Sequence, residues 1–458
     1  MSESKNDFSK GNVYKIIVSL AIPMIFAQLV QVMYNVVDRI YIGHLPGTSS
    51  TALTGLGLTF PVVTLILAFT NLFGMGGAPL CSIERGRKND KKAELIMGNT
   101  FAMLVYTAFA LMITGYLVMK PMLYMFGASE KTYVYAASYL KIYLIGTPFV
   151  MLSAGMNGFI NSQGFAGTGM MTTLIGAALN ILLDPIFIFV LNMGVKGAAI
   201  ATVISQFVSC IWVMRFLLGK KTLLLLRREN MRIVPKILKD IVGIGMAGFI
   251  MAASTGFVQI TYNSTLKSFG GDVYVGIMTI FNSLRDVIIL PAQGLSGAAQ
   301  PVIGYNYGAK EYPRIKKAIT FISISSILYM GLCQLLVMFF PKIFIHIFNS
   351  DPELVRLGVP AMRIYFSGFF ILALQSAGQS VFVGMGLSKH AVFFTILRKV
   401  IIVIPLTLIF PRLFGLGVNG VFTAEPVSNF IGGFACYITM LFTVRRILNI
   451  EEKKSENA

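Results

Sequence analysis

The chain has 458 residues, of which 55% are hydrophobic and only 12% are charged, and its formal net charge is +19. Soluble domains carry about 25% charged residues, so this composition excludes a soluble globular protein and predicts an integral membrane protein. Because the basic residues lie between apolar segments, where membrane proteins carry them, the positive charge does not indicate nucleic-acid binding.

Apolar segments that are long enough to cross a bilayer recur along the whole chain. A spanning helix needs about 20 apolar residues. We therefore predict an all-α integral membrane fold with twelve transmembrane helices, at residues 14–40, 52–80, 95–119, 132–160, 168–191, 197–218, 237–266, 273–306, 314–340, 354–383, 391–411 and 416–444.

Basic residues are concentrated in alternate predicted loops. The loops after the second, sixth and eighth predicted helices are rich in Lys and Arg, whereas the opposite loops hold few basic residues: there is none from His44 to Thr51, and Lys196, Lys267 and Arg412 each stand alone in theirs. Loops rich in basic residues face the cytoplasm. We therefore predict a multi-pass protein of the cell membrane with both termini in the cytoplasm.

The second half of the sequence repeats the first half. Residues 194–197 (Gly-Val-Lys-Gly) recur as residues 417–420 (Gly-Val-Asn-Gly) at an offset of 223 residues, and Pro79 recurs as Pro301 at an offset of 222. Parallel repeats of this kind are typical of transporters. The repeat predicts two pseudo-symmetric six-helix lobes, at residues 1–218 and 237–446, with a cytoplasmic linker at 219–236 and a cytoplasmic tail at 447–458.

An ionisable residue lies in the middle of the fifth predicted helix. Asn180 and Asp184 are four residues apart and share one helix face, while Pro185 frees the carbonyl of Ile181 one turn earlier. Burying a charge at this depth costs roughly 2.5–3.5 kcal/mol, so such a residue indicates a functional site. The alternative is a structural carboxylate that caps a broken helix or pairs with an arginine.

The two predicted lobes differ in their polar residues. In the second lobe, Ile402 and Leu406 occupy the positions of Asn180 and Asp184, and Glu425 lies opposite Thr202 of the first. Ionic function is therefore expected in the first lobe.

Two pairs of adjacent charged residues lie in predicted helices of the second lobe. We interpret Arg285 and Asp286 as a structural ion pair. Arg398 and Lys399 lie near the predicted cytoplasmic end of the eleventh helix, and we interpret them mainly as topology anchors.

Four motifs resemble those of the multidrug and toxic compound extrusion (MATE) family. They are residues 36–43 (Val-Val-Asp-Arg-Ile-Tyr-Ile-Gly), 178–185 (Ala-Leu-Asn-Ile-Leu-Leu-Asp-Pro), 194–202 (Gly-Val-Lys-Gly-Ala-Ala-Ile-Ala-Thr) and 300–309 (Gln-Pro-Val-Ile-Gly-Tyr-Asn-Tyr-Gly-Ala). The last motif resembles the MepA-like branch. Their order along a duplicated chain extends the resemblance over nearly its whole length.

The resemblance implies two six-helix bundles around a central cleft, and export by alternating access against an H⁺ or Na⁺ gradient, with no cofactor other than the coupling ion. The family's cation site would consist here of four oxygen-bearing residues, Asp38, Asn180, Asp184 and Thr202. Oxygen ligands suit hard cations, and a carboxyl group in an apolar site also takes up protons readily, so both ions remain open.

One residue departs from the family pattern, and two prolines are predicted hinges. Arg39 directly follows Asp38, and we expect its long side chain to extend to the membrane interface, away from Asp38. Pro23 and Pro185 lie where a helix can kink. We expect cation binding at Asp38 and Asp184 to change the bend of the first helix.

The expected substrates are hydrophobic or cationic organic compounds, because 25 Met and 36 Phe residues could line an adaptable cleft. The expected partners are these small molecules and membrane lipid, and we expect a monomer that binds no nucleic acid. The candidate cleft residues are polar groups on inner helices: Gln28, Gln31, Asn35, Asn157, Gln259, Gln293, Gln375, Gln379 and Glu425.

Two other classes of function remain as alternatives. A flippase or exporter of lipid-linked or small-metabolite cargo would favour a cleft rich in Arg and Lys, and few basic residues lie at mid-membrane. A membrane receptor would explain neither the duplication nor the intramembrane carboxylates. The sequence shows no metal-ligand cluster, phosphate-binding loop or catalytic triad, so we do not expect an enzyme.

Overall fold

The computed structural model describes residues 7–43, 49–348, 351–413 and 415–456, except for the side chains of residues 35, 36, 39, 40, 42, 43, 49–54, 272 and 451–456. Within these ranges all regular secondary structure is helical, which confirms the predicted all-α class.

The first half of the chain contains six long helices. They are α1 (Val13–Gly43), α2 (Ser49–Gly86), α3 (Asp90–Met125), α4 (Glu130–Ser162), α5 (Ala166–Pro185) and α6 (Val195–Leu217). A π-helical turn, Ile186–Val190, follows α5 directly, and a short 3₁₀ helix, Arg228–Met231, precedes the second half.

The second half is more interrupted. Its helices are α7 (Pro235–Gly270), α8 (Asp272–Gly308), α9 (Tyr312–Phe339), α10 (Pro341–His346), α11 (Pro352–Tyr365), α12 (Ile371–Gly384), α13 (Ser388–Ile396), α14 (Ile404–Ile409), α15 (Val418–Ser428) and α16 (Phe434–Glu456). π-Helical segments join α13 to α14 (Leu397–Val403) and α15 to α16 (Asn429–Gly433). Helix α16 continues to Glu456, so the described part of the predicted tail at 447–458 is helical.

The described part of the chain has eleven helices that are long and apolar enough to cross a membrane. The tenth predicted span, 354–383, is instead two shorter helices, α11 and α12. The side chain of Gln334 stabilises the break between them, because its amide donates to Ser367 O and accepts from Phe370 N, both at 2.9 Å. The eleven helices, together with this broken span, agree with the predicted multi-pass membrane fold.

The repeat found in the sequence is also present in the backbone. Gly194 and Gly417, which precede α6 and α15, have φ angles of 53° and 50°. Lys88 and Lys310 have φ angles of 59° and 62°, in a region that non-glycine residues rarely adopt. Because unusual turns recur at equivalent positions, the two halves share one local architecture.

The chain forms two compact units. Unit 1 contains residues 22–252, and unit 2 contains residues 8–21 and 253–456. The first turns of α1 therefore belong to unit 2, and the first half of α7 belongs to unit 1. These units differ from the predicted lobes at 1–218 and 237–446, which follow the sequence repeat and stay a prediction.

The predicted linker at 219–236 is packed against unit 1. Leu224 and Leu226 are buried. The buried amides of Gln163 and Asn99 form hydrogen bonds along the segment, largely to its backbone. The segment is thus a structured part of unit 1.

Candidate cation and substrate sites

Three of the four predicted cation ligands form a buried cluster in unit 1. The Asn180 amide nitrogen donates to Asp184 Oδ1 and to Thr202 Oγ1, each at 3.3 Å. All three side chains are at most 3% exposed. Asn180 therefore connects the carboxyl group on α5 to the hydroxyl group on α6.

A glycine allows α6 to approach the end of α5. A Cβ atom at Gly197 would lie 2.6 Å from the backbone carbonyl of Phe187, in the π-helical turn that follows Pro185. Because Gly197 has no side chain, the first turns of α6 pack directly on this turn and bring Thr202 to the ligands of α5.

The fourth predicted ligand, Asp38 on α1, joins the cluster. Its half-buried carboxyl group contacts the Asp184 carboxyl group through a side-chain hydrogen bond. Two carboxyl groups in contact cannot both carry a negative charge in an apolar site unless a cation lies between them, because the charges repel strongly. A shared proton or a bound metal cation would relieve this repulsion.

The four side chains that this cluster brings together, Asp38, Asn180, Asp184 and Thr202, all carry oxygen atoms. Asn180 Oδ1 is buried and has no hydrogen-bond partner among the described residues, so an additional acceptor is available beside the carboxyl pair. Carboxylate, amide and hydroxyl oxygens are the ligands that hard cations prefer. The donor set fits Na⁺ as well as H⁺. The Arg39 side chain lies outside the described residues.

Three tyrosines that sequence reasoning missed surround the site. The Tyr34 and Tyr139 hydroxyl groups both interact with the Thr202 hydroxyl group. The Tyr139 ring stacks on Tyr143, with 5.8 Å between the ring centroids. The only sequence signal was spacing, since Tyr34 precedes Asp38 by one helical turn and the other two tyrosines share one face of α4.

Unit 1 also contains a cavity of about 190 Å³ between α1, α4 and α5. Three predicted cleft residues, Gln28, Gln31 and Asn157, line it together. Methionines also line the cavity at Met24 and Met170. The cavity thus combines amide groups with flexible apolar side chains, which suits a small organic molecule.

The other predicted cleft residues that the structure describes have different surroundings. Gln293 is exposed, and Gln375 is half-buried. Gln259 is hydrogen-bonded to Asn282 and to Asn263. The Gln379 amide donates to the backbone and side chain of α13, so it has a structural role. The Asn35 side chain lies outside the described residues.

Glu425 is buried in an ion pair within unit 2. Arg398 Nη1 lies 3.1 Å from Glu425 Oε1, and both side chains are at most 7% exposed. Our interpretation of Arg398 as a topology anchor was therefore wrong, because its charge is used inside unit 2. The predicted Arg285–Asp286 ion pair is present, with an N–O distance of 3.1 Å.

The two predicted hinge prolines lie at structural transitions. Pro185 ends α5, where the helix changes to the π-helical turn. Pro23 lies inside α1, two residues after the boundary between the two compact units at Ala21. Proline removes a backbone hydrogen bond and weakens a helix locally. These positions are compatible with bending, and the hinge function stays a prediction.

A duplicated helical membrane fold that contains a carboxyl pair and a cavity within one unit is typical of membrane transporters built from repeats. A family model described as MatE matches residues 23–186 and 248–409, which together cover most of both halves. The chain belongs to the MatE family, and the resemblance found in the sequence motifs is confirmed.

Individual relatives extend over nearly the whole chain. The chain is 25% identical over 438 residues to the multidrug export protein MepA of Staphylococcus haemolyticus, with 94% of both chains covered. It is 26% identical over 415 residues to MepA of Staphylococcus aureus strain MSSA476, covering 89% of this chain and 90% of the relative. A crystal structure of MATE in the bent conformation superposes with a TM-score of 0.92 at 23% identity and covers all of both chains.

Proposed function

We propose that the protein is a secondary active multidrug exporter, which moves hydrophobic or cationic organic compounds out of the cell in exchange for H⁺ or Na⁺. The observation that carries this proposal is the contact between Asp38 and Asp184 in unit 1. Two carboxyl groups in contact repel each other when both are ionised, and a bound proton or metal cation relieves this repulsion. Binding of this ion on one side of the membrane and its release on the other would let the ion gradient supply the energy for transport.

The cavity in unit 1 supports the substrate part of the proposal. Its amide groups orient polar atoms of a ligand, while Met24 and Met170 can repack around different apolar shapes. The relatives that are named multidrug export protein MepA support the same class of cargo. Both observations favour a small organic molecule as the transported compound.

Coupling requires that the ion and the substrate favour different conformations of the protein. The cation ligand Asp38 and the cavity residues Gln28 and Gln31 lie on the same helix, α1. We propose that ion binding at Asp38 bends α1 near Pro23 and so changes the cavity. We further propose that the protein works as a monomer in the cell membrane, surrounded by lipid, with both termini in the cytoplasm.

Transport by purified protein in lipid vesicles tests this function. A fluorescent lipophilic cation such as ethidium is loaded, and a pH gradient or a Na⁺ gradient is imposed separately. We expect one of the two gradients to drive ethidium transport, and we expect Asp38→Asn and Asp184→Asn to abolish this dependence. Asp240→Asn, which changes an exposed carboxylate of unit 1, is the matched control and should transport normally.

Two results would argue against the proposal. If neither gradient moves ethidium or other organic cations, multidrug export is wrong. If both Asn variants respond to the gradient as the wild type does, the carboxyl pair is not the coupling site.

A further inference from the structure

Unit 2 contains a buried ion cluster that the proposed transport mechanism does not use. Arg398 Nη1 donates to Glu425 Oε1 at 3.1 Å and to Asn429 Oδ1 at 2.7 Å. The Tyr262 hydroxyl group donates to Glu425 Oε2 at 2.8 Å. Both oxygens of the carboxylate are therefore occupied by donors from the protein.

This cluster corresponds in the sequence repeat to the cation site of unit 1. Glu425 is the equivalent of Thr202 at the offset of 223 residues. The amide and carboxyl ligands that α5 supplies in unit 1 are replaced by Ile402 and Leu406. Unit 2 thus has an acidic group in place of the Thr202 hydroxyl group, lacks the amide and carboxyl ligands of α5, and has an additional guanidinium group.

The two sites differ in the charged groups that they contain. In unit 1 two carboxyl groups, those of Asp38 and Asp184, are in contact with each other. In unit 2 the negative charge of Glu425 is already balanced by Arg398. The other charged groups that face Glu425 are Lys399 and Arg285, the latter paired with Asp286. An additional cation would meet repulsion from the guanidinium groups of Arg398 and Arg285, which stay charged.

The local backbone conformation provides space for the Arg398 side chain at this position. Arg398 belongs to the π-helical segment Leu397–Val403, and it faces a second π-helical segment that contains Gly432. A Cβ atom at Gly432 would lie 3.0 Å from Arg398 Cγ, closer than side chains normally pack. The glycine therefore provides the room in which the Arg398 stem lies. π-Helical turns inside helices occur frequently at functional sites.

We infer that Arg398 acts as a tethered cation, which permanently fills the repeat-equivalent site of unit 2. Glu425 therefore takes up no coupling ion. The transporter then has one ion site, in unit 1. A guanidinium group stays charged at all physiological pH values, so it is a constant substitute for a mobile ion. The inference rests on the proposed function, because it concerns the number of ions that the same transport cycle uses.

The test uses the proton as a probe in the purified, reconstituted full-length protein. Infrared difference spectra record the carbonyl stretching band of protonated carboxyl groups as the pH is lowered. We expect Glu425→Gln to leave the band of the wild type unchanged. We expect Arg398→Gln to gain a band that is absent from Arg398→Gln/Glu425→Gln, whereas Arg398→Lys, which keeps a tethered positive charge, should gain none.

Two outcomes would overturn the inference. The first is a loss of band intensity in Glu425→Gln, which would mean that Glu425 takes up protons beside Arg398. The second is the absence of a new band in Arg398→Gln protein that is folded and monodisperse. If Arg398→Gln does not fold, the Glu425→Gln spectrum still decides the question, since it leaves Arg398 in place.

The same spectra separate this inference from the proposed function. The carboxyl pair of unit 1 is identified by the intensity lost in Asp38→Asn and Asp184→Asn. If that intensity does not depend on these two residues, the proposed coupling site fails, whatever the result for Glu425. If it does depend on them while Glu425→Gln also loses intensity, only the tethered-cation inference fails.

Discussion

Replacing Gln163 with Met should release the segment between α6 and α7 from unit 1. The buried Gln163 Oε1 accepts hydrogen bonds from Thr222 Oγ1 at 2.7 Å, from Leu223 N at 2.8 Å and from Leu224 N at 2.9 Å. Met has a similar shape but accepts hydrogen bonds only weakly, so it removes this interaction with little change in packing.

The three hydrogen bonds give the size of the expected effect. Each contributes about 0.5–1.5 kcal/mol net, so their loss should lower the free energy of local opening by roughly 1.5–4.5 kcal/mol. Since 1.4 kcal/mol corresponds to a factor of ten, the open state should become about 10- to 1000-fold more populated.

Hydrogen exchange at the amides of residues 223 and 224 measures this opening directly, and trypsin cleavage at the exposed Arg227 and Arg228 reports it independently. Gln206→Met is the matched control, because Gln206 Oε1 accepts a hydrogen bond from Ser153 Oγ, and this bond lies outside the segment. Unchanged exchange in Gln163→Met would refute the reasoning and would mean that the other contacts of the segment, including the hydrogen bonds of Asn99 and apolar burial, hold it.

Three further predictions follow from the packing and from the cavity. A side chain at Gly197 or Gly420 would lie 2.6 Å from backbone atoms, so Gly197→Ala and Gly420→Ala should each cost about 1–3 kcal/mol and lower the Tm. Gly167→Ala, which meets open space, should not lower it; equal Tm values for all three variants would contradict this account. Pro23→Ala should slow transport more than it weakens substrate binding, and an unchanged transport rate would count against the hinge. Gln31→Leu should weaken binding of polar substrates more than that of apolar ones in a fluorescence titration, and equal effects would argue against a direct contact.

Much of the fold was predictable because the features that determine it can be read from short stretches of the sequence. Helices that cross a bilayer need long apolar segments, and the repeat left glycines and prolines at a constant offset. The tenth span was the exception. The hydrophobicity of this span is continuous, but its helix is broken near Phe370. The backbone N–H of Phe370 donates to the side chain of Gln334 on α9. Sequence spacing does not reveal such a partner, because it lies 36 residues away.

The candidate cation site was predictable from its carboxyl groups, since burying a charge in a membrane is costly enough to indicate function. The tyrosines around it were not, because tyrosine is common and Tyr139 becomes informative only when α4 packs against Thr202. The role of Arg398 was misinterpreted because its position in the sequence is ambiguous. A basic residue near a predicted helix end resembles an interface anchor, and only the fold brings it to Glu425.

The central claim is that the carboxyl pair in unit 1 couples ion movement to substrate movement. Because coupling between two bound species is reciprocal, a substrate gradient alone should drive the ion in the opposite direction. The direct measurement imposes an ethidium gradient on vesicles without any ion gradient and follows internal pH and Na⁺ with indicators. The account predicts movement of one of these ions in the wild type and none in Asp184→Asn. Ethidium movement without any ion movement in the wild type, or equal ion movement in Asp184→Asn, would contradict it.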